Sequence, residues 1–152
     1  MAWPAWSDMP FDASTDAVFV ISSTPLSVRQ ALYEILSHPV LAHLSVAARG
    51  SAEVVLAEAL NNIVEHAYAK ADGHIDLRLQ RRPDRVLCDI VDHGALMPGG
   101  ALPAGLSQPI GVDKDLPEGG FGWFLIRSLT ENLVYQRIDA RNHLSFQFII
   151  EQ

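Results

Sequence analysis

The apolar positions change period several times along the chain, and each change marks an element. Residues from Ala17 to Ser22 alternate apolar and small groups with β-branched ones, which predicts a first strand. Thr24-Pro25 then opens a helix running to about Ser37, with Thr24 as N-cap and Pro25 in the first turn, where its missing N–H costs nothing. Val28, Leu32, Ile35 and Leu36 recur on it at helical spacing, and Pro39 stops it. A second helix is expected from near Ser51 to about Lys70, carrying Leu56, Leu60, Ile63 and Ala67, with Gly73 just beyond. Two strands follow. Ile75 to Leu79 alternates cleanly, Val86 to Val91 is more continuously apolar, and Arg82-Pro83-Asp84 between them reads as a hairpin turn.

From His93 to about Gly120 the pattern collapses into a segment rich in Pro and Gly with no sustained period. A loop of this length inside a compact domain is usually a functional lid or a disordered stretch. Trp123, Phe124, Ile126, Arg127 and Leu129 suggest a third helix, and Leu133 to Ile138 and Leu144 to Ile150 read as closing strands. This order of elements predicts an α/β (α+β) two-layer sandwich, with a mixed, mostly antiparallel sheet and helices on one face. The expected division is a tail over 1–15 and one domain over 16–152, with a lid at about 93–120. No internal repeat or low-complexity tract interrupts it.

Composition narrows the function classes. A chain of 152 residues, 49% hydrophobic and 19% charged, suits one folded domain with a single core. Its formal net charge is −7, and 11 Lys and Arg residues do not build the basic face that a nucleic acid needs; the acidity reads as solubility. Cys88 is the single cysteine, so no intrachain disulfide forms and a reducing compartment is expected. The opening MAWPAWSDMPFD lacks Lys, Arg and an apolar run, unlike a signal peptide, and no stretch approaches the ~18 apolar residues of a membrane span. The expectation is a soluble, cytoplasmic protein. Trp3 and Trp6 would pack on the domain or on a second subunit.

Three clusters carry candidate chemistry. Glu58 and Asn62 lie four apart on the second helix and share a face, with Glu65 and His66 one turn on, while Leu56, Leu60, Ile63 and Ala67 turn to the core. Asp89-Ile90-Val91-Asp92-His93-Gly94 ends an apolar strand with a carboxylate and a glycine, where α/β sheets commonly bind ligands. Pro117 to Ile126 places Gly119, Gly120 and Gly122 before a helix whose first N–H groups can receive phosphate oxygens. Taken singly, these read more readily as a polar surface stripe, a strand terminator and a flexible turn than as a site. The last is neither a dinucleotide fingerprint, lacking a strand immediately before it, nor a P-loop, lacking Lys-Ser/Thr.

Taken in order, Glu-x-x-x-Asn on a helix, Asp-x-Gly after a strand, a Gly/Pro-rich lid and Gly-Gly-x-Gly before a helix resemble the GHKL (histidine-kinase-like) ATPases. The wording Leu-Ala-Glu-Ala-Leu-Asn-Asn-Ile-Val-Glu-His-Ala-Tyr and Glu-Gly-Gly-Phe-Gly-Trp-Phe-Leu-Ile-Arg-Ser-Leu is similar to the anti-sigma-factor serine/threonine kinases, over roughly Asp16 to Ile150. The resemblance implies ATP and Mg2+. It makes Asn62 the magnesium-coordinating residue, Glu58 the general base on the attacking hydroxyl, and Asp92 the acceptor from the adenine amino group. It further implies that Gly94 lets the base pack closely and that Gly120, Phe121 and Gly122 form the lid hinge and phosphate loop. His66 stands where the family often has a histidine, and Ser145 is the nearest candidate for a threonine that the family has near the adenine. Which cation meets the phosphates is open between Lys114 in the lid and Arg127 in the helix after it.

The function so implied is a protein serine/threonine kinase acting as an anti-sigma-type switch. Its substrate would be an anti-anti-sigma (STAS-domain) protein, its second partner a sigma factor or other regulator, and its state a homodimer. Two other readings stand beside it. One is a nucleotide-dependent binding module with little or no kinase activity. The other, an isolated ATPase domain of a sensor histidine kinase, is disfavoured because no phosphoacceptor helix pair is read ahead of the domain.

Overall fold

The computed structural model describes residues 10–69, 71–102 and 120–150. Trp3, Trp6 and most of the expected lid, Lys114 included, lie outside the described residues.

Strands β1 (Asp16–Ser22), β2 (His74–Arg81), β3 (Arg85–Asp92), β4 (Glu131–Ile138) and β5 (Arg141–Ile149) form one sheet in the order β1-β2-β3-β5-β4. Helices α1 (Pro25–Ser37), α2 (Val46–Asn62) and α3 (Gly120–Leu129) supply the second layer. The two-layer α/β class is as expected, and every strand pairing among the described residues is antiparallel. Two tight hairpins explain part of this. The β4–β5 turn uses Asp139 and Ala140, both at positive φ (52° and 61°), the handedness that a two-residue hairpin requires.

Strand alternation sends Ile75, Leu77 and Leu79 of β2, Val86, Cys88 and Ile90 of β3, and Leu144, Phe146 and Phe148 of β5 into one core with the helices. Val28 and Ile35 of α1, Val55, Leu56 and Leu60 of α2, and Ile126 of α3 meet them there. Thr24 caps α1 as expected, its Oγ1 accepting from the Ser27 N–H at 3.1 Å. Helix α2 starts five residues before the expected Ser51, because Ser45 Oγ accepts from the Ala48 N–H at 3.1 Å and caps it there. Ala47, Ala48 and Gly50 give that first turn too little apolar contrast for a period to show.

At its far end α2 widens into a π-helical turn, Ile63–Ala67, followed by Tyr68. Such turns displace backbone groups from the regular ladder. Here the Ala67 carbonyl accepts from the Ala95 N–H at 2.8 Å, tying the helix end to the segment after β3.

The opposite face of the sheet buries charge. Arg78 pairs with Asp16 at 3.0 Å, both nearly fully buried, and stands across from Asp89 in the β2–β3 register. Asp89 is 3% exposed, and burial pushes its carboxyl up to about 7, against the opposing pull of Arg78. Between roughly pH 4 and 7 the folded chain therefore holds a proton that the unfolded chain releases. Stability falls as pH rises through that window and levels off above it. Asp89→Asn is expected to reduce the fall, leaving the variant more stable than wild type at pH 8 by roughly 1–4 kcal/mol. Urea midpoints at pH 5 and pH 8 measure this; equal pH dependence in the two proteins would refute it.

Candidate functional site

One cleft lies between the end of α2, the end of β3 and the first turns of α3. Asn62, His66, Asp92, Trp123, Tyr135 and Asn142 are among the residues lining it.

At its inner end Asp92 closes β3, 3% exposed. Its Oδ1 accepts from the Gly94 N–H at 2.9 Å and from Asn142 Nδ2 at 2.8 Å. Its Oδ2 has no hydrogen bond among the described residues. Burial raises the pKa of Asp92, and the two donors together with Arg137 and His93 act against that. Asn142 is itself held on all sides. Its Nδ2 also donates to the Ala95 carbonyl at 2.8 Å, and its Oδ1 accepts from the Tyr135 hydroxyl at 2.5 Å and from Arg137 Nη1 at 3.0 Å. The Tyr135 oxygen in turn accepts from the Met97 N–H at 3.0 Å. The network fixes one carboxylate oxygen and leaves the other to meet a donor, such as the exocyclic amine of a purine.

Gly94 is fixed by space. A Cβ there would overlap the Ala67 carbonyl and come within 2.6 Å of the Ala67 Cβ, so the strand end could not close on the π-helical turn. Gly94→Ala is expected to cost about 1–3 kcal/mol of stability, seen as a lower urea midpoint, and to open the wall of the cleft. An unchanged midpoint would show that the contact gives way freely.

At the outer end Glu58 and Asn62, one turn apart on α2, face the start of α3. A Cβ on Gly122 would overlap the Glu58 carboxylate and lie 3.7 Å from Asn62 Nδ2, so this glycine lets the helix seat against both side chains. Gly120, Phe121 and Gly122 form the opening turn of α3, whose N–H groups favour anions. Asn62 is 7% exposed and its Nδ2 has no hydrogen-bond partner among the described residues, so no internal bond dictates how its amide is turned. An amide oxygen there, beside a carboxylate, suits a hard cation that also keeps water and phosphate oxygens. The donor set fits Mg2+.

Of the residues singled out from sequence, Asn62, His66 and Asp92 line the cleft, and Glu58, Gly94 and Gly122 pack against its walls. Two are placed elsewhere. Ser145 lies on the far face of the sheet, because β5 alternates and its Asn142 and Leu144 face the cleft. Phe121 pairs with Phe124, ring centroids 6.1 Å apart, and Trp123 lines the cleft in its stead. Asn142 and Tyr135 are functional candidates that the sequence reading passes over. Carrying the β5 alternation back two residues from Leu144 would have found Asn142.

A family model described as "Histidine kinase-like ATPase domain" matches residues 21–148. The serine/threonine-protein kinase BtrW of Bordetella bronchiseptica is 41% identical over 92 residues, which cover 58% of this chain and 61% of that protein. The serine-protein kinases RsbW of Bacillus cereus (strain AH187) and Bacillus mycoides are 28% and 26% identical over 102 residues, 64% of this chain and 62% of each. The matches thus span about three-fifths of the length of these curated relatives. With the cleft, the glycine contacts and the matched span agreeing, the chain belongs to the family of histidine kinase-like ATPase domains.

Proposed function

We propose that this chain is an ATP- and Mg2+-dependent serine/threonine protein kinase of the anti-sigma-factor type, which phosphorylates a STAS-domain anti-anti-sigma protein and alternately captures a sigma factor or another regulator. The observation that carries this reading is that one cleft is lined by both Asp92, a buried carboxylate with one unengaged oxygen, and Asn62, which with Glu58 meets the glycine-opened start of α3. Relatives named as serine/threonine kinases support the choice of acceptor.

In this reading Asp92 Oδ2 accepts from the adenine amino group, and the first turn of α3 receives phosphate oxygens. Asn62, with waters, would hold Mg2+, which when bound neutralises phosphate charge. Glu58 takes the proton of an incoming serine or threonine hydroxyl as its oxygen bonds to the γ-phosphorus. The bond from that phosphorus to the bridging oxygen breaks, and ADP leaves. Little covalent work is asked of the protein beyond holding these groups in place.

Exposed apolar side chains give protein partners somewhere to sit. Val18 and Val20 on β1 are 46% and 70% exposed, and Leu26 and Tyr33 on α1 are 64% and 78% exposed. A homodimer and one or both regulatory partners would use such surfaces. A phosphoryl group adds about −1.5 to −2 charges to the STAS protein, enough to expel it from an apolar contact and free the chain for its other partner. A cytoplasmic setting accords with this role; no helix among the described residues is long and apolar enough to cross a membrane.

The test is incubation of the chain with ATP, Mg2+ and its cognate STAS-domain protein, followed by intact-mass measurement. One added phosphoryl group on a serine or threonine of the STAS protein is expected. Nucleotide binding without any transfer would favour instead a binding module that uses ATP to set its conformation.

A further inference from the structure

On the sheet face opposite the helices, the ends of β2 and β3 bring together three side chains that the nucleotide cleft does not use. His74 and His93 stand directly across from each other at the end of the β2–β3 ladder, one step beyond the Ile75–Asp92 pair. Asp76 lies two residues along β2 from His74, so all three project from the same face. His74 Nε2 is 3.5 Å and His93 Nε2 4.0 Å from Asp76 Oδ2, and the two imidazole rings lie 5.1 Å apart between centroids. One ligand atom from each of the three lies within 4.8 Å of the others.

We propose that His74, Asp76 and His93 form a binding site for one divalent transition-metal ion of the zinc class. Zn2+ bound by two imidazoles and a carboxylate takes ligand bonds of about 2.0–2.2 Å, which puts neighbouring donor atoms about 3.4 Å apart in a tetrahedron. The His74–Asp76 pair, at 3.5 Å, is already close to that spacing, and the His93–Asp76 pair, at 4.0 Å, is only slightly wider. Two nitrogen donors favour a borderline metal over Mg2+ or Ca2+, which take oxygen ligands. The His74 and His93 side chains are 52% and 44% exposed, so water or an external ligand completes the fourth position.

The backbone beneath the cluster is braced. The Tyr68 hydroxyl donates to the His74 carbonyl at 2.7 Å and accepts from the His93 N–H at 2.8 Å, holding the two ligand-bearing strand ends in register without the metal. Gly73, where a Cβ would strike the Tyr68 ring, leaves room for that brace. Fixed backbone positions under movable side chains are what an ion needs to draw three donors together. His93 also lies between Asp92 and Gly94, so an ion here would grip the reverse side of the strand end that forms the cleft.

The site is tested by calorimetric titration of Zn2+ into the tag-free chain after chelator treatment, without nucleotide, so that the result does not depend on the kinase reading. One Zn2+ per chain is expected, and excess Mg2+ should not displace it. Replacement of Zn2+ by Co2+ should give the intense visible bands of a four-coordinate ion. His74→Gln, Asp76→Asn and His93→Gln should each weaken binding roughly tenfold or more, with cooperative thermal unfolding retained. His43→Gln, at an exposed histidine outside the cluster, should bind as wild type does. Absence of binding at sub-millimolar Zn2+, or binding that survives all three substitutions, would overturn the assignment.

Discussion

Glu58→Gln is expected to lower phosphoryl transfer to the STAS-domain protein by about 10²–10⁴-fold, the range that a positioned general base contributes, while ATP affinity changes no more than a few-fold. Glutamine keeps the length and shape of the side chain, so the packing of Gly122 against residue 58 survives. What disappears is the capacity to take a proton from the incoming hydroxyl. Asp92, at the other end of the cleft, is untouched, and the adenine contact should persist. Single-turnover transfer rates and calorimetric ATP affinities, measured on the same preparations, separate the two effects. Equal rates in wild type and variant would remove Glu58 from the chemistry. Parallel loss of rate and affinity would make it a binding group.

Asp92→Asn is expected to weaken ATP and ADP binding by roughly 10–100-fold, the equivalent of one hydrogen bond to a charged group, about 1.5–3 kcal/mol. The fold should tolerate it, since the asparagine oxygen can continue to accept from the Gly94 N–H and from Asn142. The amide nitrogen would then replace Oδ2, presenting a donor where the purine amine also donates. Nucleotides with a 6-oxo purine should be affected less, because they offer an acceptor in place of the amine. An unaltered adenine-nucleotide affinity in a folded Asp92→Asn protein would mean that the base binds elsewhere.

The architecture, and the elements that carry Asn62 and Asp92 to the cleft, were legible for a physical reason. Alternation in β2 and β3, the Thr24-Pro25 cap and the helical spacing of Leu56, Leu60 and Ile63 are local signals, and the core they predict is the core that forms. Glu58 and Asn62 share a helix face by spacing alone. What local pattern could not supply was the contact between distant segments. The Asn142 amide bridges Asp92 and Ala95 from 50 and 47 positions away, and Tyr135 steadies it from the neighbouring strand. Gly94 reads as a turn residue in sequence, yet its constraint comes from the Ala67 carbonyl, which a π-helical turn has put in its way. Ser145 was drawn in by a family position, whereas the pleat of β5 sends it to the other face. The His74, Asp76 and His93 cluster escaped for a similar reason, because only the register of β2 on β3 makes neighbours of residues 74 and 93.

Titration of the intact chain with ATP, in the presence and absence of Mg2+, bears most directly on the assignment of this cleft. A single saturable site, tightened by Mg2+, is the result that the proposed roles of Asn62 toward the cation and Asp92 toward the base predict. A cooperatively folded chain that gives no binding heat at millimolar nucleotide, with or without Mg2+, would contradict it.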